Sequence, residues 1–145
     1  MQSYPTPESS IRYEHLRHGF SKAFIPESGR PFHIFTEPDT GWAHDHNFSM
    51  ISHVVAGGYV EEVFTIHPDG TATSEVLERL PGTSHHIKAS TIHRVLSLPA
   101  GFCVTHVEPG PPEQDWSFFR FDDAGVWRRG QGQNEFELIA PRLLS

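Results

Sequence analysis

"GWAHDHNFSMISHVVAGGYVEE" (residues 41–62) is the stretch on which the fold turns. Along a strand, residues i and i+2 share a face. His44 and His46 therefore point to one side and Asp45 to the other. Phe48, Met50, Ser52 and Val54 continue the side of the histidines, and that side is mostly apolar, so it is expected to face inward. Two imidazoles at the head of an inward face supply two arms of a metal site. The same spacing also fits a pair of solvent-exposed histidines at a strand end. Gly57-Gly58 closes the run as a turn, and "YVEEVFTIH" (59–67) reads as the returning strand.

Outward from this stretch the pattern repeats. Strands are predicted over 32–37, 44–56, 59–67, 71–79, 84–88, 91–98, 102–108, 116–121 and 126–129. Between them stand turn signals such as Pro68-Asp69-Gly70, Pro81-Gly82, Pro99-Ala100-Gly101 and "DDAG" (122–125). Short strands at near-regular spacing predict an all-β sandwich or barrel. Before them, Thr6 as a cap, Pro7 in the first turn, and Ile11, Leu16, Phe20 and Phe24 as a partial apolar face predict a short N-terminal helix, interrupted by Gly19. The expected organisation is a tail and short helix over 1–30, one β-domain over 31–130 and a C-terminal extension over 131–145.

The 145 residues suffice for one core without disulfide or metal staples. Cys103 is the single cysteine, which excludes an intramolecular disulfide. The net charge of −7 and the lack of a basic stripe argue against nucleic acid as a partner. No apolar run is long enough to span a bilayer, and the first residues have neither a basic start nor an apolar core, so a cytoplasmic protein is expected. Histidine is abundant, 11 in all, as many as Lys and Arg together. Its neutral ring offers a nitrogen lone pair near pH 7.

A second segment joins the first. "GTSHHIKASTIHRV" (82–95) places Gly82, five residues, Lys88, one residue, Ser90, two residues and His93. This spacing resembles the second motif of the cupin superfamily, with Lys88 and Ser90 where that motif prefers proline and glycine. The first cupin motif is similar to His44-Asp45-His46, three residues, Met50, six residues and Gly57, with Met50 at the usual glutamate. The resemblance implies a small jelly-roll barrel with one metal held inside by His44, His46 and His93. With Met50 in place of the carboxylate, three neutral imidazoles would leave positions open for water or an anionic substrate. Iron(II) is the first expectation, with nickel, manganese and zinc as alternatives. Glu61 or Glu62, on the next strand, could supply the missing carboxylate.

The three-histidine set is similar to that of the thiol dioxygenases, a branch that includes cysteine dioxygenase. "HDH" followed by Gly58, and "HRV" at 93–95, resemble theirs. "THVEPGPP" (105–112) resembles the strand that carries a histidine followed two residues later by a tyrosine. His106 stands at the histidine and Glu108 at the tyrosine. His106 and Glu108 are therefore the candidate acid–base pair, with a structural pair as the alternative. Phe48, Val54, Val95 and Val104 are the expected apolar wall. The expected function is oxygenase-type chemistry on a small organic acid or thiol. A metal- or ligand-binding module without turnover and a metal-free sugar epimerase are the alternatives. A homodimer is expected because open sheet edges invite pairing.

Overall fold

The computed structural model describes residues 11–17, 19–25 and 29–143. Among these, every regular element is a strand. They are β1 (Arg12–Arg17), β2 (Phe20–Phe24), β3 (Phe32–Phe35), β4 (Ala43–His44), β5 (Phe48–Ala56), β6 (Tyr59–Ile66), β7 (Ala72–Arg79), β8 (Ser84–Ile87), β9 (Ile92–Ser97), β10 (Cys103–Pro112), β11 (Ser117–Asp122), β12 (Gly125–Gly130) and β13 (Glu137–Pro141).

The strands form two antiparallel sheets. One has the order β1-β2-β3-β10-β5-β8 and the other β13-β12-β11-β4-β9-β6-β7. Within them, β3 to β10 are distributed as β3-β10-β5-β8 and β4-β9-β6-β7, with β6 and β7 forming a hairpin in the second sheet. That is the strand order of a jelly roll, two Greek keys folded over each other. The predicted inner strands lie within a few residues of those observed, except that 44–56 is broken at residues 45–47 into β4 and β5.

The N-terminal segment departs from expectation. Residues 12–17 and 20–24 form a β-hairpin, not a helix, and the hairpin extends the first sheet through β2 and β3. The proposed cap at Thr6 and Pro7 lies outside the described residues. Gly19 makes the turn at φ +74°, where a Cβ would sit 2.7 Å from that of Glu37. Its place in the pattern marks a hairpin, not an interrupted helix. At the other end, β13 pairs with β12 and widens the second sheet.

Alternation divides the apolar residues between two cores. Val54, Tyr59 and Cys103 are buried between the sheets, with Phe35, Val95 and Leu98 packed on them. Ala43, Ile92, Phe119 and Val126 form a second cluster with Phe64, Ile66, Phe121 and Ala140. Register assigns this cluster to the reverse face of the second sheet. Ala43 pairs with Phe119 and Phe64 with Ile92, while the alternate residues His44 and His93 pair with each other. The second sheet thus has an apolar back and turns its histidines toward the first sheet.

Candidate metal centre

The three predicted ligands converge. His44 ends β4, His46 follows it in the connection to β5, and His93 lies on β9 directly opposite His44. Their ligand atoms all lie within 4.8 Å of one another. His46 Nε2 and His93 Nε2 are 3.1 Å apart. The His44 ring centroid is 5.3 Å from that of His46 and 4.9 Å from that of His93.

Hydrogen bonds orient the rings. His93 Nδ1 is 2.8 Å from Glu61 Oε1, and His44 Nδ1 is 3.2 Å from the Asp45 carbonyl. Neither an ionised carboxylate nor a carbonyl can donate, so both imidazoles donate through Nδ1 and turn Nε2 toward the common point. His46 Nε2 faces the same point. Burial first, and then the neighbouring His93 and His44, lower the pKa of His46 to about 3, so its ring is neutral near pH 7. Three imidazoles converging on one point, two of them oriented through Nδ1, are a donor set that fits a divalent transition metal.

The connection carrying His46 is fastened from behind. Asp45 points away from the site, as the parity of HDH predicts, and is buried. It accepts hydrogen bonds from the Ser117 amide at 2.6 Å and from Gln114 Nε2 at 3.0 Å. The same Gln114 nitrogen donates to the His46 carbonyl, and the His46 amide donates to the Ala89 carbonyl. His46 therefore sits on a braced turn between two strands.

Behind His93 lies a buried polar chain. Glu61, on β6, is only 1% exposed. Besides His93 it accepts a 2.7 Å hydrogen bond from Arg79 Nε on β7. Burial would raise its pKa, but the bonds from His93 and Arg79 outweigh burial and hold it at about 2. Tyr59, on the same face, is 3.0 Å from His85 Nε2, and burial together with Glu61 pushes its hydroxyl upward. Glu61 is thus inside the barrel but engaged by His93 and Arg79, and the ligand cluster consists of histidines. Glu62 faces the other way, toward Arg94 and Ser74.

A cavity of about 290 Å³ lies between the sheets beside the three histidines. Its walls include Phe48 and Met50 from β5, Ile87 from β8, Val95 from β9 and Val107 from β10. Cys103, His33 and Asp39 also line it. Asp39 Oδ2 is 3.6 Å from His44 Nε2. A larger concavity of about 420 Å³ near β12 and β13 includes none of the three histidines.

The structure does not bring His106 and Glu108 together with the metal ligands. On β10 it is Cys103, Thr105 and Val107 that line the cavity, and the alternate residues face the reverse side. There His106 lies tilted against Phe32, with ring centroids 4.8 Å apart, and Glu108 accepts a 2.8 Å hydrogen bond from His53 Nε2 and lies 3.5 Å from Arg30. Val104 shares their parity, so the cavity wall is formed by Phe48 and Val95 but not by Val104, while Val54 is buried in the core beside it. The three tryptophans stand outside the lining. The Trp116 ring is 6.4 Å from that of His44.

Sequence reasoning missed His33, Tyr59, Arg79 and Asp39. His33 shares parity with Phe35, and Tyr59 with Glu61, which is a readable signal. Arg79 reaches the site only because β6 and β7 pair Tyr59 with Arg79, a register that no motif reports.

No family model matches the sequence, and no curated protein matches it. Among solved structures the chain is similar to Momordica charantia 7S globulin, with a TM-score of 0.48 and 14% identity over 81% of this chain and 38% of that one. The chain therefore spans less than half the length of that protein, and the jelly-roll assignment rests on strand order. Among the described residues no helix is long and apolar enough to cross a membrane.

Proposed function

We propose that this chain is a cupin-type jelly roll that binds one divalent transition metal through His44, His46 and His93 and performs oxygenase-type chemistry on a small organic molecule. The observation that carries this reading is the convergence of three imidazoles, from β4, the following turn and β9, within 4.8 Å of one another at the wall of an apolar cavity. Three neutral protein donors leave positions for a substrate to occupy. When bound, the metal would supply Lewis-acid polarisation or activation of dioxygen. The chain contributes the rest. Glu61 holds the His93 tautomer, the Asp45–Gln114 brace holds His46, and Phe48, Met50 and Val107 keep water from the site.

Metal analysis of the purified protein against His93→Ala tests the centre. About one equivalent in the wild type and a loss of most of it in the variant are expected. Absence of stoichiometric metal after exposure to Fe(II), Co(II) and Zn(II) would defeat the reading. Oxygen consumption by the Fe(II)-loaded protein over a panel of small acids, thiols and apolar chelators tests turnover.

A second reading, a metal-dependent binding module without turnover, is favoured by one observation. The candidate pair His106 and Glu108 lies on the side of β10 away from the cavity. Stoichiometric metal with no oxygen uptake across the panel would select it.

A further inference from the structure

On the reverse face of the first sheet, three polar side chains stand in one row across three strands. Ser84 on β8 lies directly opposite His53 on β5, and His53 lies opposite His106 on β10, which puts Glu108 diagonal to it. Ser84 Oγ is 2.6 Å from His53 Nδ1, and His53 Nε2 is 2.8 Å from Glu108 Oε2. The bond from His53 holds the Glu108 carboxyl below the usual carboxylate range, and Arg30 lies 3.5 Å from its other oxygen. An ionised carboxylate cannot donate, so His53 donates through Nε2. In the neutral ring Nδ1 is then an acceptor, and the hydrogen it accepts is that of the Ser84 hydroxyl. A hydroxyl bonded to an imidazole that a carboxylate orients is the arrangement of an activated nucleophile.

The row is open to solvent. The His53 and Glu108 side chains are 37% and 44% exposed, and Ser84 is exposed as well. Among the described residues β8 ends its sheet. The Val54 amide donates to the Thr83 carbonyl, so by the alternation of an antiparallel pair the Ser84 amide points off that free edge, away from β5. None of the three residues lines the cavity beside the metal ligands.

We propose that Ser84, His53 and Glu108 form a nucleophile–base relay that cleaves activated esters of small acids at the outer face of the first sheet. The proposal does not rest on the metal reading. Ser84 Oγ attacks the ester carbonyl carbon while its proton passes to His53 Nδ1. The same proton goes to the departing alcohol as the ester C–O bond breaks, leaving an acyl group on Ser84. Water then attacks that group, again losing a proton to His53, and the acid departs with Ser84 restored. Glu108 keeps the imidazole turned toward Ser84 and offsets the charge it gains. The site is exposed, so it suits small esters with good leaving groups rather than one enclosed substrate.

The test uses the full chain and an alkyl fluorophosphonate, with the modified serines located and timed by peptide mass spectrometry. Ser74 is the internal control, because it is exposed and bonded to the Glu62 carboxylate with no imidazole. Ser84 should be modified at least about tenfold faster than Ser74, the low end of what a positioned base contributes, and His53→Gln should remove most of that lead. With p-nitrophenyl acetate, acetyl-Ser84 should form and p-nitrophenolate release should fall severalfold in Ser84→Ala, a substitution on an exposed strand whose folding circular dichroism checks. A ladder that only ties the strands together makes the same hydrogen bonds without the reactivity. Equal modification of Ser84 and Ser74 in the wild type overturns the proposal, and needs no variant to fold. So does phenolate release unchanged in folded Ser84→Ala.

Discussion

Glu61 is the residue on which the geometry of the centre hangs. It is almost wholly buried, ionised, and shared between His93 Nδ1 and Arg79 Nε. Groups that bond the far nitrogen of a metal-ligating histidine typically contribute about 10- to 100-fold in metal affinity. Glu61→Ala should weaken Zn(II) binding by about that factor, and Glu61→Gln, which keeps one acceptor, by less. Competition against a chromophoric chelator measures this, with circular dichroism confirming that the variants fold. His33 gives a second residue-scale prediction. Its pKa is about 4 in the folded protein against an ordinary 6.5. Between those values the unfolded chain binds a proton that the native protein does not, so stability rises with pH across that range. Its contribution is complete above pH 6.5, falls by on the order of 3 kcal/mol as pH drops to 4, and is flat below. Urea melts of metal-free protein at pH 7, 5.5 and 4 should show a shallower decline for His33→Gln than for wild type.

At the scale of elements, the connections set the register that brings the ligands together. Gly57, between β5 and β6, has φ +81°, and a Cβ there would lie 2.1 Å from the Phe102 carbonyl oxygen. Gly57→Ala should therefore cost about 3 kcal/mol or more and lower Tm by on the order of 10 °C, measurable by thermal denaturation. The legible elements were those with a local cause. The HDH pair, the alternation through Phe48, Met50 and Ser52, and the proline–glycine turns each leave a mark within a few residues, and so the inner strands and the three ligands could be read. The N-terminal hairpin could not, because Ile11, Leu16, Phe20 and Phe24 fit a loose helical face. What decides for strand is the pairing of Phe20 to Phe35 and Ala23 to Phe32 on β3. The facing of His106 and Glu108 was hidden for a related reason. Parity shows that Val104, His106 and Glu108 share a side, but which side is inward depends on Thr105 meeting His33 and Val54 across two other strands.

At the scale of the whole molecule, pairings between distant parts of the chain join the local hairpins into two sheets. β3 lies against β10, and β4 against both β9 and β11. Closing such loops before contacts can form slows folding, so refolding from urea should take milliseconds to seconds, observable by stopped-flow fluorescence of Trp42, Trp116 and Trp127. The two sheets also divide the site between them. The second sheet, through β4, β6 and β9, holds His44, His93 and Glu61, and the turn after β4 adds His46, whereas β5 and β10 of the first sheet face them mainly with apolar side chains. One wall can then be reshaped while the opposite one stays fixed. Variation at Met50, Ser52, Thr105 or Val107 would alter which guest is admitted without disturbing the groups that would seize the ion, and a library confined to those positions is the natural route to new selectivity.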